Sequence, residues 1–456
     1  MGDNIFMKRL FGTDGVRGIA NLELTPEMAF KLGKAGATVL TSEIHKPKIL
    51  IGRDTRISGN MLEAALIAGM MSVGADVLIA GVIPTPAVAF LTRHYHADAG
   101  VMISASHNSV EFNGIKFFDN KGFKLPDDVE DKIESLMEND DFQRPTGIDV
   151  GRKISIKSAK EEYMEFLAST IDVRLDGVEI VMDCANGAAS GVAPQLFKRL
   201  GATVYPYYFL PDGTDINKNC GSTHPERICE IVKELGADIG LAFDGDADRL
   251  IACDERGVEL DGDHVLAICG KMLINEGRLK RETIVGTVMS NMGLDIFANK
   301  NHIRLEKTTV GDRYVLENML ENGYVLGGEK SGHVIFLEYN TTGDGLLTAL
   351  QLLRAKVKEN KEMSVLAQDM KNLPQVLVNI KVDNSKKELY KTDENILNEI
   401  KKADQALEGR GRILVRASGT EPLIRVMLEG ENEEEINNFA LNIAKAVEKV
   451  CLGKIV

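Results

Sequence analysis

The sequence has no tryptophan, and aromatic residues make up only 5% of its 456 residues. We therefore expect hydrophobic cores built mainly from Ile, Leu, Val, Ala and Met. Positive charge is also scarce, because 54 Lys and Arg stand against 68 Asp and Glu, for a net charge of −14. Nucleic-acid surfaces need clustered basic residues, so we expect no nucleic-acid partner. An anionic ligand would need a locally basic pocket in such a chain.

Several motifs are missing as well. None of the six cysteines stands in a C-x-x-C pair, which disfavours zinc-ribbon and thioredoxin-like sites. No apolar run reaches the roughly 18 residues of a membrane span, and residues 1–10 lack the apolar core of a secretory signal. No G-x-x-x-x-G-K-[ST] motif occurs, so a P-loop ATPase is not indicated. We expect a cytoplasmic protein with reduced thiols and no membrane partner.

Most of the chain alternates short apolar runs with longer amphipathic segments. Residues 48–51, 99–104 and 239–243 are predicted strands, and residues 26–40 and 61–73 are predicted helices. This alternation is typical of βαβ units with buried strands. Several of these strands end in loops rich in Gly, Asp, Ser or Asn, and sites in open α/β sheets form at such strand ends.

The C-terminal part follows a different pattern. Predicted strands at residues 375–382, 411–415 and 423–428 precede a charged helix at residues 433–450, whose apolar residues share one face. This pattern indicates a smaller α+β module that begins after a linker near residues 371–374. Other domain boundaries are expected near residues 151–152 and 261–262.

Three aspartates, Asp244, Asp246 and Asp248, follow the predicted strand 239–243 at alternate positions. Carboxylates this close repel one another unless a cation neutralises them, and oxygen ligands favour Mg²⁺ or Ca²⁺. A solvated acidic turn is the plainer alternative, but three carboxylates after an apolar run favour a metal site. An EF-hand is disfavoured because Arg249 stands where that loop requires glycine. A phosphatase nucleophile at Asp244 would leave the serine motif without a role.

That serine motif is I-S-A-S-H-N at residues 103–108, and it places Ser106 at the end of another predicted strand. A lone serine is usually a turn or cap residue, but this one leads into N-G-I-K, which ends at Lys116. A phosphoserine adds about −1.5 to −2 charges, which nearby aspartates tolerate only with a bridging divalent ion. Phosphoryl transfer through Ser106 is therefore the favoured interpretation. Lys116 is either an acid–base partner or charge clamp, or a strand lysine that reaches solvent.

Three further loops carry groups that bind phosphates or sugars. The turn R-A-S-G-T-E-P at residues 416–422, with Arg425 beyond it, offers guanidinium, hydroxyl and backbone N–H donors. That combination suits a phosphate, although a polar hairpin turn is the alternative. The loop G-G-E-K-S-G-H at residues 327–333 combines a carboxylate, a hydroxyl and an imidazole, which suit a sugar. The glycine-rich segment 11–18, which contains Arg17, is a weak signal by itself.

Together these segments resemble the α-D-phosphohexomutase family. The motifs occur in the family's order over nearly the whole chain, at residues 11–18, 104–108, 244–249, 328–333 and 416–422. The resemblance implies an α/β protein with three consecutive mixed α/β domains around a cleft and a smaller C-terminal α+β domain. The expected boundaries are residues 1–155, 156–260, 261–373 and 374–456. Segments 220–226, 310–314 and 341–345 resemble the members of the family that act on amino sugars.

The resemblance also implies a role for each candidate residue. Ser106 is the expected phosphoserine, and with Asp244, Asp246 and Asp248 it is expected to hold one Mg²⁺. The implied catalytic residues are Ser106, Lys116, His333 and Arg17. The implied substrate-binding residues are His107, Arg249, Gly311, Glu329, Ser331, Arg416, Ser418, Gly419, Thr420 and Arg425.

The implied activity is conversion of glucosamine 6-phosphate to glucosamine 1-phosphate through a bisphosphorylated sugar, a step that feeds bacterial cell-wall precursors. The expected partner is a sugar phosphate, and the expected state is a monomer or homodimer. Alternatives are the same chemistry on glucose or mannose phosphates, a metal-dependent phosphatase, and a non-catalytic sugar-phosphate or metal-binding protein. Ser109 and Ala417 stand where the family usually has proline, so we expect less rigid serine and phosphate loops.

Overall fold

A computed structural model describes residues 9–12, 14–41, 46–139, 142–418 and 421–456. The chain divides into two compact units. The larger unit contains the described residues of Met1–Met289 and Ile303–Gln368, and the smaller unit contains those of Ser290–His302 and Asp369–Val456. In the described part of the chain, no helix has the length and apolar composition that a membrane span requires.

The N-terminal part of the larger unit is a six-stranded mixed sheet with helices against it. Its elements are β1 (Val16–Ile19), α1 (Pro26–Leu40), β2 (Lys48–Arg53), α2 (Ile57–Ser72), β3 (Asp76–Val82), α3 (Thr85–His94), β4 (Ala99–Ile103), β5 (Phe112–Asp119), α4 (Asp127–Asn139) and β6 (Lys153–Ser155). The strand order is β1-β5-β4-β2-β3-β6. Strands β2, β3, β4 and β6 are parallel, whereas β5 is antiparallel to both β4 and β1.

Two glycines bring α1 and α2 together over this sheet. A Cβ on Gly33 would lie 2.5 Å from the backbone oxygen of Leu66, and one on Gly69 would lie 2.2 Å from that of Phe30. The two helix backbones therefore meet directly, which larger residues at these positions would prevent. Their apolar faces join those of α4 and the sheet in one core. That core fixes the parallel strands whose ends carry the serine loop.

The second part of the larger unit contains α5 (Ala159–Ser169), β7 (Glu179–Asp183), α6 (Ala193–Arg199), β8 (Thr203–Tyr207), α7 (Glu226–Leu235), β9 (Ile239–Phe243), β10 (Leu250–Asp254) and β11 (Glu259–Leu260). Its sheet has the order β11-β10-β9-β7-β8. Strands β7, β8 and β9 are parallel, and β10 returns antiparallel beside β9. Every residue of β9 is buried, so the strand holds the loop that follows it firmly.

The third part contains α8 (Gly262–Asn275), β12 (Thr283–Thr287), β13 (Arg304–Thr308), α10 (Asp312–Asn322), β14 (Leu326–Gly328), β15 (Val334–Phe336), α11 (Gly345–Glu359) and α12 (Met363–Ala367), and the helix α9 (Met292–Lys300) between β12 and β13 belongs to the smaller unit. The sheet order is β13-β12-β14-β15. Strand β15 is antiparallel to β14, so the two strands form a hairpin around residues 329–333.

The smaller unit adds β16 (Gln375–Lys381), α13 (Glu394–Leu407), β17 (Gly411–Ala417), β18 (Leu423–Gly430), α14 (Glu433–Cys451) and β19 (Lys454–Ile455). Its four-stranded sheet has the order β17-β18-β16-β19, and each neighbouring pair is antiparallel. Helices α13 and α14 share one apolar core with this sheet.

Short 3₁₀ helices of the chain lie at Gly147–Asp149, Ala188–Gly191, Lys280–Glu282 and Asn384–Lys391. The predicted fold class, α/β with a C-terminal α+β module, is confirmed.

Candidate active site

Ser106 lies in the loop that follows β4, a strand buried at all five positions. The residue is 1% exposed. Its backbone is left-handed, with φ of 51°, which costs a non-glycine residue about 1–2 kcal/mol. Its hydroxyl donates to Oδ2 of Asp244 at 2.6 Å and lies 3.4 Å from Nδ1 of His107. The structure thus brings the serine loop into direct contact with the loop that carries Asp244, Asp246 and Asp248, the aspartate loop.

Asp244, Asp246 and Asp248 are buried in the loop between β9 and β10. One carboxylate oxygen from each lies within 4.8 Å of the others, because left-handed Ala247, with φ of 56°, curls the loop. Burial and the other two carboxylates raise the pKa of Asp244 well above its usual value. Oδ1 of Asp246 and Oδ1 of Asp248 are buried without a hydrogen-bond partner among the described residues. This set of orphaned hard oxygen donors fits Mg²⁺.

Lys116 lies on β5 and is 1% exposed, so it is not a lysine that reaches solvent. Its Nζ lies 2.8 Å from Asp246, 3.0 Å from Asp14 and 3.8 Å from Asp248. Burial opposes the charged form, but these carboxylates outweigh it and raise the pKa of Lys116 above its usual value. Lys116 therefore holds its proton and balances the charge of the aspartate loop.

A cavity of about 510 Å³ in the larger unit joins the motifs of its three parts. The predicted site residues in its wall are Arg17, His107, Asp248, Arg249, Gly311, Glu329 and His333. Burial, with Arg249 and Arg17 nearby, lowers the pKa of His107 to about 4, so its imidazole is neutral near pH 7. Ser331 is exposed and does not line this cavity. The cavity therefore unites most, but not all, of the predicted residues of the larger unit.

The hairpin of β14 and β15 presents Glu329 and His333. The backbone N–H of Glu329 donates to the backbone oxygen of His333 at 3.0 Å, and Oε1 of Glu329 accepts from Gly311 N–H at 3.0 Å. Nε2 of His333 accepts from Gly343 N–H at 3.1 Å. The ring proton is therefore placed on Nδ1, which lies 3.6 Å from Asp248. Both side chains have fixed directions.

In the smaller unit, β17 and β18 place Arg416 directly opposite Arg425. Opposed residues of an antiparallel pair lie on one face of the sheet, about 5 Å apart at Cβ, and like charges there repel. Nε of Arg425 is buried without a hydrogen-bond partner among the described residues. Ser418 follows β17 directly, whereas Gly419 and Thr420 lie outside the described residues. Arg425 forms an ion pair with Glu421, and an anion such as phosphate would relieve the remaining repulsion of the two guanidinium groups.

Arg56, which follows β2, was missed by sequence reasoning. It is 0% exposed. Its guanidinium donates to the backbone oxygens of Ser106 at 3.0 Å and Asn108 at 2.7 Å, and also to that of Ser109. Asp54 accepts from its Nε at 2.9 Å. Two opposite charges directly after a buried strand were the available signal. Arg56 holds the serine loop although proline is absent at position 109.

Lys124, Asp14 and Asp312 were also missed as individual residues. Lys124 contacts both carboxylates, Asp14 contacts Lys116, and Asp312 lies 3.6 Å from Nε2 of His333. Since Lys116 and His333 each lie within 4 Å of Asp248, these residues and Asp248 form a closed ring in which basic and acidic side chains alternate. Asp14 and Asp312 stand within motifs noted in the sequence, whereas nothing in the sequence singled out Lys124.

Gly245→Ala tests the close contact between the two loops. A Cβ on Gly245 would lie 2.6 Å from the backbone oxygen of Ser106, so the loops must separate. We expect a loss of about 1–3 kcal/mol in the free energy of unfolding and a lower kcat, measured by denaturant titration and steady-state kinetics. Gly59→Ala in α2, whose Cβ would meet only the flexible Arg53 side chain at 3.3 Å, is the control. Unchanged kcat in Gly245→Ala would show that the contact has no functional effect.

Family models for the phosphoglucomutase/phosphomannomutase domains match almost the whole chain. Alpha/beta/alpha domain I matches residues 8–144, domain II residues 161–257 and domain III residues 261–373. The C-terminal domain of the same family matches residues 377–446. The serine, aspartate, sugar and phosphate motifs therefore fall one in each matched domain.

Curated relatives are named phosphoglucosamine mutase. That of Clostridium novyi (strain NT) is 58% identical over 445 residues, which cover 97% of this chain and 99% of the relative. That of Clostridium perfringens (strain SM101 / Type A) is 58% identical over 447 residues, which cover 98% and 100%.

Solved structures share the fold. A phosphoglucomutase/phosphomannomutase family protein from Burkholderia thailandensis has a TM-score of 0.81 at 22% identity and covers 97% of each chain. Aspergillus fumigatus N-acetylphosphoglucosamine mutase, solved with GlcNAc-6P and magnesium, has a TM-score of 0.69 at 17% identity, over 97% of this chain and 96% of that one.

Proposed function

Because the chain belongs to the phosphoglucomutase/phosphomannomutase family, we propose that it converts glucosamine 6-phosphate to glucosamine 1-phosphate. The choice of an amino sugar is supported by the Clostridium relatives, whose names state that activity. The chemistry rests on one observation. The buried hydroxyl of Ser106 lies 2.6 Å from Asp244, within a loop of three carboxylates that fits a metal ion.

The reaction runs through phosphorylated Ser106. The C1 hydroxyl oxygen of glucosamine 6-phosphate attacks the phosphorus, the bond from phosphorus to Oγ breaks, and the hydroxyl proton passes to a base. The product is a bisphosphorylated sugar, which turns in the site. Oγ of Ser106 then attacks the 6-phosphate, so phosphoserine is restored and glucosamine 1-phosphate is released. The C6 oxygen regains a proton in this second step.

Asp244, Asp246, Asp248 and Ser106 are the residues that would hold one Mg²⁺. When bound, the ion offsets the charge of the transferring phosphoryl group beside three carboxylates. The orphaned oxygens of Asp246 and Asp248 support this assignment. The Ser106 hydroxyl is hydrogen-bonded to Asp244. Without the ion, a phosphate on Ser106 would therefore lie beside three carboxylates, and these negative charges would repel strongly.

Charge stabilisation and acid–base work are assigned to Lys116 and His333, with His107 as a further candidate base. Lys116 carries a proton that its buried ion pairs hold, and its raised pKa suits it best to stabilise the negative charge of the transferring phosphoryl group. His107 is neutral and lies 3.4 Å from Oγ of Ser106, which suits it to accept a proton. Arg17 lines the same cavity and completes the catalytic set.

The remaining candidates bind the sugar phosphate. Glu329, Gly311 and Arg249, which line the cavity, are assigned to the sugar, and Ser331 is assigned to a sugar hydroxyl. The opposed pair Arg416 and Arg425, with Ser418, Gly419 and Thr420, binds the phosphate that is not being transferred. Their guanidinium and hydroxyl donors match a dianion.

A coupled assay that compares glucosamine, glucose and mannose phosphates tests the proposed substrate. We expect the highest kcat/KM with glucosamine 6-phosphate, because the relatives at 58% identity carry that name. Intact-mass measurement of the purified protein should also show one phosphoryl group that phosphatase treatment removes. A wide preference for glucose 1-phosphate would replace the substrate but keep the mechanism. Net phosphate release would indicate a phosphatase, and absence of both turnover and phosphorylation would indicate a binding protein.

The domain boundaries, location and assembly complete the proposal. The domains are residues 1–155, 156–260, 261–373 and 374–456. The protein acts in the cytoplasm as a monomer or homodimer, without nucleic acid or membrane partners. The acidic net charge of −14 supports the absence of a nucleic-acid partner. Size-exclusion chromatography with light scattering measures the oligomeric state.

A further inference from the structure

We propose that Asn217 is a positioning residue that holds Ser106 in place relative to the aspartate loop. The inference rests on the proposed phosphoryl transfer through Ser106. Asn217 lies in the second part of the larger unit, just before segment 220–226, whereas Ser106 belongs to the first part. No catalytic motif contains Asn217, and its amide touches the serine loop only through backbone atoms.

The contacts of Asn217 join the two parts directly. Its Nδ2 donates to the backbone oxygens of Ser106 at 2.8 Å and Asn108 at 2.9 Å. A Cβ on Gly245 would lie 2.6 Å from the Ser106 oxygen and 2.8 Å from Nδ2 of Asn217. The serine loop, the aspartate loop and the Asn217 amide therefore meet at one point without space between them.

Asn217 is itself fixed within the second part. Its backbone N–H donates to the backbone oxygen of Ala185 at 3.0 Å, in the loop that follows β7. The neighbouring Ile216 is 1% exposed. The left-handed backbone of Asn217, with φ of 58°, is one that asparagine tolerates better than most residues. The Asn217 amide therefore has a fixed position in the part of the molecule that also carries the aspartates.

Arg56 clarifies what Asn217 adds. Both side chains donate to the same two oxygens, those of Ser106 and Asn108. Arg56 belongs to the same part as the serine loop, so its hydrogen bonds hold that loop within the first part. Asn217 reaches it from the part that carries the aspartates, so it links the reacting oxygen to the carboxylates that accompany it. Small displacements of reacting groups reduce rates strongly, whereas binding of a sugar phosphate elsewhere in the site depends on them little.

Asn217→Gly removes the amide while permitting the left-handed backbone. We expect kcat and the single-turnover rate of transfer from phosphorylated Ser106 to fall together by about 10- to 100-fold, with KM nearly unchanged. Asn219→Gly is the matched control, because Asn219 is also left-handed, with φ of 52°, and is exposed. Among the described residues its side chain has no hydrogen bond to the serine loop. That variant should keep wild-type kcat.

Asn217→Asp provides a second test. It retains the shape but replaces the donor amide with a carboxylate that faces two backbone oxygens, so we expect at least as large a loss of kcat as in Asn217→Gly. Wild-type kcat in both variants would overturn the proposal. A lower melting temperature and a smaller fraction of phosphorylated protein, with kcat per phosphorylated site unchanged, would also overturn the proposal. That result would indicate a purely structural role. The assays use whichever sugar phosphate the wild-type protein turns over best, so a wrong substrate assignment is recognised separately.

Discussion

Ser106→Ala is expected to lose turnover by about 10⁶-fold, the scale of effect seen when a nucleophile is removed. Alanine keeps the size of the loop but has no oxygen to carry the phosphoryl group between the two sugar positions. The aspartate loop and the sugar-binding residues remain, yet neither can form the covalent bond to phosphorus that the Ser106 oxygen provides. Steady-state kinetics with the preferred sugar phosphate measure the loss, and intact mass should show an unphosphorylated protein.

Ser109→Ala is the matched control for this prediction. Ser109 stands in the same loop and is exposed, and its contact with Arg56 uses the backbone oxygen, which alanine retains. Exposed substitutions of this kind change stability by about 0.5 kcal/mol or less, so phosphorylation and turnover should persist. Substantial turnover by Ser106→Ala, or phosphate that remains on it, would refute the assignment of the phosphoserine.

Arg56→Met is expected to lower the free energy of unfolding by about 3–5 kcal/mol, because it leaves a buried charge without its partner. Asp54, which accepts from Nε of Arg56 at 2.9 Å, becomes that unpaired charge. The backbone oxygens of Ser106 and Asn108 also lose a donor. Denaturant titration measures the loss. Arg174→Met, which breaks only an exposed ion pair with Asp176, should have little effect.

The loss in Arg56→Met should depend on pH. Burial already raises the pKa of Asp54 in the wild type, and removal of the guanidinium raises it further. The folded variant then keeps a proton on Asp54 that the unfolded chain releases above about pH 3.9. The free energy of unfolding of the variant therefore falls as pH rises from about 3.9 to the raised pKa of folded Asp54. The deficit relative to wild type should thus be smaller at about pH 5 than at about pH 8. A deficit independent of pH would mean that lost packing, not the unpaired carboxylate, causes it.

The elements were predictable where local signals agree with burial. Helix α1 has the predicted bounds because Thr25 caps it and Pro26 begins it. Helix α2 begins at Ile57, not at the predicted residue 61, because Arg56 provides no side-chain cap that would mark its start. Strands such as β4 and β9 were recognisable since burial on both faces requires continuous apolar runs. The family membership predicted from the ordered motifs is confirmed.

The site was predictable to the extent that its residues react or carry charge in motifs. Ser106, the aspartates and Lys116 meet in the structure as their chemistry suggested. Arg56 and Asn217 were not predictable, because they bind backbone oxygens, and any residue supplies those. Contacts of this kind depend on which segments the fold brings together. The charges of Asp54 and Arg56 after a buried strand indicate an ion pair, but no pattern in a single sequence shows which backbone oxygens Arg56 or Asn217 binds. Whether each assigned residue performs its role stays a prediction for the experiments above.

The left-handed backbone at position 106 also limits what natural selection can retain there. Threonine offers the same reacting oxygen as serine, so chemistry alone would allow neutral drift between the two. Its branched Cβ, however, crowds the backbone at a φ of 51°, a region that β-branched residues almost never occupy. The backbone conformation, and not the reactivity of the hydroxyl, therefore disfavours replacement of Ser106 by threonine. An evolving lineage would have to relax the left-handed backbone at this residue before threonine could carry the phosphate without added strain.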